Sequence, residues 1–98
     1  MIRGTTPTLI LSLPVAASTL TSGYITFARD GQVLLEKTLD DCTAQDMTLR
    51  LPLSQEDTLA LQAGIVKLQL RALNASGQAV ASNILNTNVE DILKDGVI

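Results

Sequence analysis

Ninety-eight residues with a formal net charge of −3 make one domain with an acidic surface, which disfavours nucleic-acid backbones and anionic membranes. The chain has no histidine and one cysteine, so an internal disulfide and a Ser-His-Asp or Cys-His site within the chain are excluded, and the commonest metal ligand is missing. Hydrophobic residues make up 46% and aromatic ones 2%, so the core must come from Leu, Ile, Val and Ala, and a platform for stacking sugars is hard to assemble.

Short apolar stretches punctuated by turn residues predict an all-β domain. TLILSL (8–13) opens it as a strand whose unbroken apolar run predicts burial on both faces, and Pro14 ends it or marks an edge. LILSLPVAAS (9–18) has the outline of a secretion signal behind Arg3, but Pro14 and two serines interrupt an already short run, so a retained strand is expected. No stretch approaches the ~20 apolar residues of a membrane-spanning helix.

GYITFAR (23–29) is a second strand, with Ile25 and Phe27 on one face and Tyr24, Thr26 and Ala28 on the other. Asp30-Gly31 is the dipeptide of a tight two-residue hairpin, because both positions need positive φ. QVLLEKTL (32–39) is then the returning strand, and DDCTAQD (40–46) reads as a loop. MTLRLPL (47–53) alternates, with Met47, Leu49 and Leu51 inward and Thr48 and Arg50 outward.

LSQEDTLAL (53–61) raises the question of paired carboxylates. Ser54 is a good N-cap with Asp57 three residues on, which is close to a capping box. Glu56 and Asp57 fall in the first turn, where the helix dipole favours acids. Leu53 is placed to staple against Thr58 or Leu59, and Leu59 and Leu61 to plug one end of the domain. A short helical crossover at 54–60, ended by Gly64, is therefore expected. Catalysis would need two carboxylates facing one cleft, and adjacent helical residues point about 100° apart.

GIVKLQLRAL (64–73) is the cleanest strand, with Val66, Leu68, Leu70 and Ala72 alternating with Lys67, Gln69 and Arg71. NASG (74–77) is a turn, and QAVASNILNTNV (78–89) is one bent strand or two short ones. In TNVEDILKDGVI (87–98) the period changes: Val89, Ile92, Leu93 and Val97 approach helical spacing, Thr87 and Glu90 suggest a capping box, and Gly96 a stop. A short C-terminal helix near 89–95 is expected, docked because it is too short to stand alone. The sum is one β-sandwich over residues 1–98, of about seven strands, with a short helical crossover and a short C-terminal helix. That count is immunoglobulin-like, without the paired cysteines and the tryptophan of true immunoglobulin domains.

The remaining candidates reduce to structure. Asp40, Asp41 and Asp46 flank Cys42, but lack the ligand alternation, central Gly and final Glu of a calcium loop. Cys42 has no histidine to activate it and reads as a half-buried thiol. Asn74-Ala75-Ser76 matches a glycosylation sequon yet is more simply a turn, and Arg3-Gly4 is the entry to the first strand rather than an anion site. No catalytic residue, cofactor or metal is expected.

MIRGTTPT (1–8), LP (13–14), YITFA (24–28), DC (41–42), LSQEDTL (53–59), VKLQLR (66–71) and AVAS (79–82) together resemble a family of small proteins from phages and prophages of Gram-positive bacteria. The resemblance runs from end to end in order and includes Gln55-Glu56-Asp57-Thr58 and Gln69-Leu70-Arg71. The chain departs after Thr8, where the family often has His or Thr and this sequence has Leu9. The opening Arg3-Gly4 and the Leu53–Glu56 turn are also similar to the first domain of upper baseplate proteins, a β-sandwich. The resemblance implies a non-enzymatic virion structural protein, associated with the tail or baseplate. It would be made in the bacterial cytoplasm without a signal peptide and carried in the virion. Its implied partners are other virion proteins and further copies of itself, with neither nucleic acid nor membrane. The alternative is a non-catalytic module that binds a host-surface protein or glycan.

Overall fold

The computed structural model describes residues 1–98. Eight strands form two antiparallel sheets. In the smaller sheet β1 (Thr8–Ser12), β4 (Thr43–Gln45) and β5 (Thr48–Pro52) lie in the order β1-β5-β4. In the larger, β2 (Leu20–Arg29), β3 (Gln32–Thr38) and β6 (Gly64–Asn74) lie in the order β3-β2-β6. Both β7 (Ala79–Ala81) and β8 (Leu85–Val89) pair with the far side of β6. The helix α1 (Gln55–Ala60) connects β5 to β6 and so crosses from one sheet to the other.

Period-two patterning builds the core. Val66, Leu68, Leu70 and Ala72 of β6 are buried together with Ile25 and Phe27 of β2, which lie beside them in register. Leu11, Leu49 and Leu51 of the small sheet join the same cluster, and Leu61 closes it after α1. Ile25, Phe27, Leu51, Leu61 and Val66 have no exposed surface, so one core lies between the inward faces of the two sheets. The hairpin between β2 and β3 turns at Asp30 and Gly31 with φ of 51° and 79°, both positive as that turn requires. Two steps on, Phe27 faces Leu35 and Ala28 faces Val33, so Leu34 is an extra residue in a β-bulge.

Several expectations need correction. β1 is buried on one face only: Leu11 is inside, whereas Ile10 is 56% exposed. An uninterrupted apolar run is ambiguous here because Ile10 points outward beside an edge that no strand covers. Met47 is also exposed, since it sits in the turn between β4 and β5 and not in the strand. Residues 40–46 are not a plain loop; a 3-10 turn at Leu39–Asp41 leads into β4.

The expected C-terminal helix at 89–95 is absent, and no helix follows α1. Thr87 and Glu90 do not cap anything. Thr87 sits opposite Val66 in the ladder, and the Glu90 backbone is taken by the N-terminus. The Arg3 amide donates to the Glu90 carbonyl at 3.0 Å, and the Glu90 amide donates to the Met1 carbonyl at 2.8 Å. A helix of two turns is marginal by itself, whereas this arrangement buries Val89 and satisfies those backbone groups. The tail beyond is tied back by the Gln55 side chain, which donates to the Ile98 carbonyl (3.2 Å) and accepts from its amide (2.8 Å).

Residues 78–89 combine the expected alternatives. Ala81 faces Arg71 and Leu85 faces Leu68, so Ser82, Asn83 and Ile84 oppose only Gln69 and Leu70. This bulge breaks one bent strand into β7 and β8. Ser82 closes the gap: the Leu70 amide donates to its hydroxyl at 3.0 Å, and the Ser82 amide donates to the Leu70 carbonyl at 2.9 Å.

Candidate functional site

The Glu56–Asp57 pair does not converge. Ser54 caps α1 by accepting from the Asp57 amide at 3.1 Å, and the Ser54 amide donates to Asp57 Oδ2 at 2.9 Å. The same carboxylate oxygen takes Lys37 Nζ of β3 at 3.1 Å, while Glu56 is exposed to solvent. Thr58 is fully buried, and its hydroxyl donates to the Thr5 carbonyl at 2.8 Å. Asp57 thus holds α1 to β3, Thr58 holds it to the N-terminal segment and Gln55 to the C-terminal tail, while Glu56 is free.

Partial burial pushes the Asp57 carboxyl up, but the Ser54 amide and the Lys37 ammonium together outweigh it and hold it below the usual carboxylate range. Asp57→Asn keeps an acceptor for Ser54 and loses the charge facing Lys37, so it is expected to cost about 1–2 kcal/mol. Glu56→Gln loses only a first-turn charge and should cost about 0.3–1 kcal/mol. Because the folded pKa of Asp57 is lowered, its contribution is present above the unfolded value of about 3.9 and fades as pH falls through the folded value. Urea melts of wild type and Asp57→Asn should therefore differ at neutral pH and draw together below about pH 4. A constant difference down to the lowest pH would show that the charge is not what matters.

The acidic stretch is also spent on turns. Asp41 Oδ2 accepts from the Thr38 amide at 2.9 Å, which caps the 3-10 turn, and Asp46 adopts φ of 51° in the turn after β4. No group of three or more His, Cys, Asp or Glu side chains is arranged to hold a metal ion. Burial pushes the Cys42 thiol up, the Asp41 charge pushes it further, and Lys37 only partly opposes them. The thiolate needed for nucleophilic chemistry is disfavoured. Asn74 is engaged within its turn, where its Oδ1 accepts from the Ser76 and Gln78 amides. Arg3, the alternative anion site, already pairs with Asp91 at 2.8 Å and donates to the Leu59 carbonyl at 3.2 Å.

One hollow in the surface carries no signature in the sequence. It is a shallow hollow of about 410 Å³ on the outer face of the larger sheet, around Gly23, Tyr24, Thr26, Glu36, Arg71 and Ala79. Tyr24 is 55% exposed at its centre, flanked in register by Thr38 of β3 and Arg71 of β6. The alternation of β2 already turned Tyr24 outward; the hollow itself exists because residues distant in sequence contribute small side chains around that ring. It offers one ring face, a guanidinium and a carboxylate. It holds no histidine, cysteine or pair of carboxylates.

No helix of the chain is long and apolar enough to cross a membrane. Comparison with protein-family models, with curated proteins and with solved structures finds no match to this chain.

Proposed function

We propose that this chain is a non-enzymatic structural protein of a phage or prophage virion, an assembly module of the tail or baseplate. The observation that carries the reading is the amount of aliphatic surface left uncovered once the core is closed. Ile10, Val33, Ile65 and Ile84 are each at least 55% exposed, and Leu93 and Ile98 are almost bare. Exposed aliphatic side chains on both sheets and the tail are what an assembly module covered by neighbouring proteins would present. The end-to-end resemblance to phage and prophage proteins supports the same role.

The architecture we infer is immunoglobulin-like. The orders β1-β5-β4 and β3-β2-β6-(β7, β8) match the B-E-D and C′-C-F-G sheets of that fold. The parallel bridge between Ile2 and Glu90 falls where a short first strand joins the last one. Leucine and phenylalanine fill the middle of the core in place of the disulfide and tryptophan.

Mass spectrometry of purified particles tests the role. The protein is expected at a fixed copy number relative to known tail components, and its absence from intact particles would overturn the reading. The hollow around Tyr24 favours the second reading, a module that binds a host-surface protein or glycan. Retention of the isolated domain on host cell walls, lost in Tyr24→Ala, would support that reading over the first.

A further inference from the structure

We propose that β1 is a self-association edge, and that two copies of this chain pair through it, antiparallel and in register about Ile10. The inference deepens the assembly reading by naming the partner, and rests on that reading only for the use the contact serves.

The direction of the backbone groups comes first. The Leu13 amide donates to the Met47 carbonyl at 2.8 Å, and the Leu53 amide donates to the Pro7 carbonyl at 2.9 Å. In an antiparallel ladder, successive residues alternately aim both backbone groups at the partner and away from it. Pro7, Leu9, Leu11 and Leu13 therefore face β5. Thr8, Ile10 and Ser12 aim their N–H and C=O groups at the open edge, where β1 has no neighbouring strand.

The other edges are protected. β3 carries Glu36 and Lys37 and a bulge at Leu34. β4 has only three residues. The β7–β8 edge is broken by the bulge at Ser82–Ile84 and continued by the N-terminal segment that bonds to Glu90. β1 has none of these devices. Its five residues carry no charge and run in unbroken register from Thr8↔Pro52 to Ser12↔Thr48.

The edge also matches itself. A two-fold axis through Ile10 sets Ile10 against Ile10, Leu9 of one copy against Leu11 of the other, and Thr8 against Ser12. Aliphatic meets aliphatic, and hydroxyl meets hydroxyl. In this register every outward N–H and C=O of both strands finds a partner, whereas a slip of two residues leaves an end unpaired and sets Ile10 against a hydroxyl residue. Pro7 and Pro14 bound the strand on both sides. Charge raises no objection. The nearest outward charge is Arg50, opposite Ile10 on β5. Two Arg50 residues would stand three strand spacings apart, about 14 Å, beyond the ~8 Å screening length at physiological salt. Two such short edges make a contact in the small class, below about 1,200 Å², so pairing is weak alone and strengthens where copies are held side by side.

The test uses the whole chain in a Cys42→Ser background. Thr8→Cys and Ser12→Cys proteins are mixed under mild oxidation and compared with each alone. Directly opposed residues lie about 5.5 Å apart at Cα, within disulfide reach, whereas Thr8 of the two copies would be about 13 Å apart. The expected result is a covalent heterodimer in the mixture and none from either variant alone. Adding Ile10→Lys to both should abolish the cross-link by placing two ammonium groups at the axis, with melting unchanged because Ile10 is exposed. No cross-link in the mixture, equal cross-linking in the single variants, or indifference to Ile10→Lys would each overturn the proposal. Failure here would leave presence in particles to be measured separately; absence from particles with the cross-link intact would overturn the virion reading and leave this contact standing.

Discussion

Phe27→Ala is expected to cost about 3–5 kcal/mol, a large part of the ~5–15 kcal/mol that holds a domain of this kind folded. Phe27 is the only phenylalanine of the chain and has no exposed surface. It lies between Leu35 of β3 and Leu68 of β6 within the larger sheet. Few neighbours can move to fill the space, because strands on both sides are fixed by their ladders. Urea denaturation followed by circular dichroism measures the loss. A cost below about 1 kcal/mol would mean that the site collapses freely and that the core is not centred there.

Gly23→Val should come next, at about 1–3 kcal/mol or more, from overpacking rather than from a cavity. β2 approaches β6 so closely at this point that a Cβ on Gly23 would stand 2.9 Å from the Ala72 Cβ and 2.9 Å from the Arg71 carbonyl oxygen. Strand propensity alone predicts the opposite, since valine favours strands and glycine weakens them. The sign of the change therefore separates packing from propensity. Each kcal/mol lowers the melting temperature by roughly 4–8 °C in a domain of this size. A melting temperature equal to or above that of the wild type would show that β2 and β6 can separate at this point.

What could be read from the residues was what local chemistry decides. Asp30-Gly31 demanded a tight hairpin, the alternation from Val66 to Ala72 demanded a half-buried strand, and Ser54 with Asp57 marked the start of α1. The failures have a common cause. Val89, Ile92 and Leu93 do fall near helical spacing, but the segment's fate was settled by Met1 and Arg3, distant in sequence, whose backbone offers Glu90 a ladder. Thr43–Gln45 is exposed and polar, so no hydrophobic pattern announces β4; pairing with β5 makes it a strand. Nothing in TLILSL marks Ile10 as exposed, because an apolar side chain facing solvent at an open edge looks the same, in sequence, as one facing a second layer. The turn at Ser54–Thr58 was legible as structure, whereas the hollow around Tyr24 was not, since it takes β2, β3, β6 and β7 together to make it.

The order of the strands bears on how the chain survives its own synthesis. β1 is made early, yet its only partner, β5, follows after β2, β3 and β4. At about 5–20 residues per second, the ribosome leaves that segment unpaired for seconds. β2 at least acquires β3 through the Asp30-Gly31 turn as soon as both have emerged, but its long pairing with β6 must also wait. During that interval TLILS is uncharged, aliphatic and extended, and neighbouring nascent chains on one messenger carry the same segment. The strand left with an open, uncharged edge in the finished fold is thus also exposed to mispairing while the fold is being made, and prolines at both ends are what limit how far such a pairing can spread.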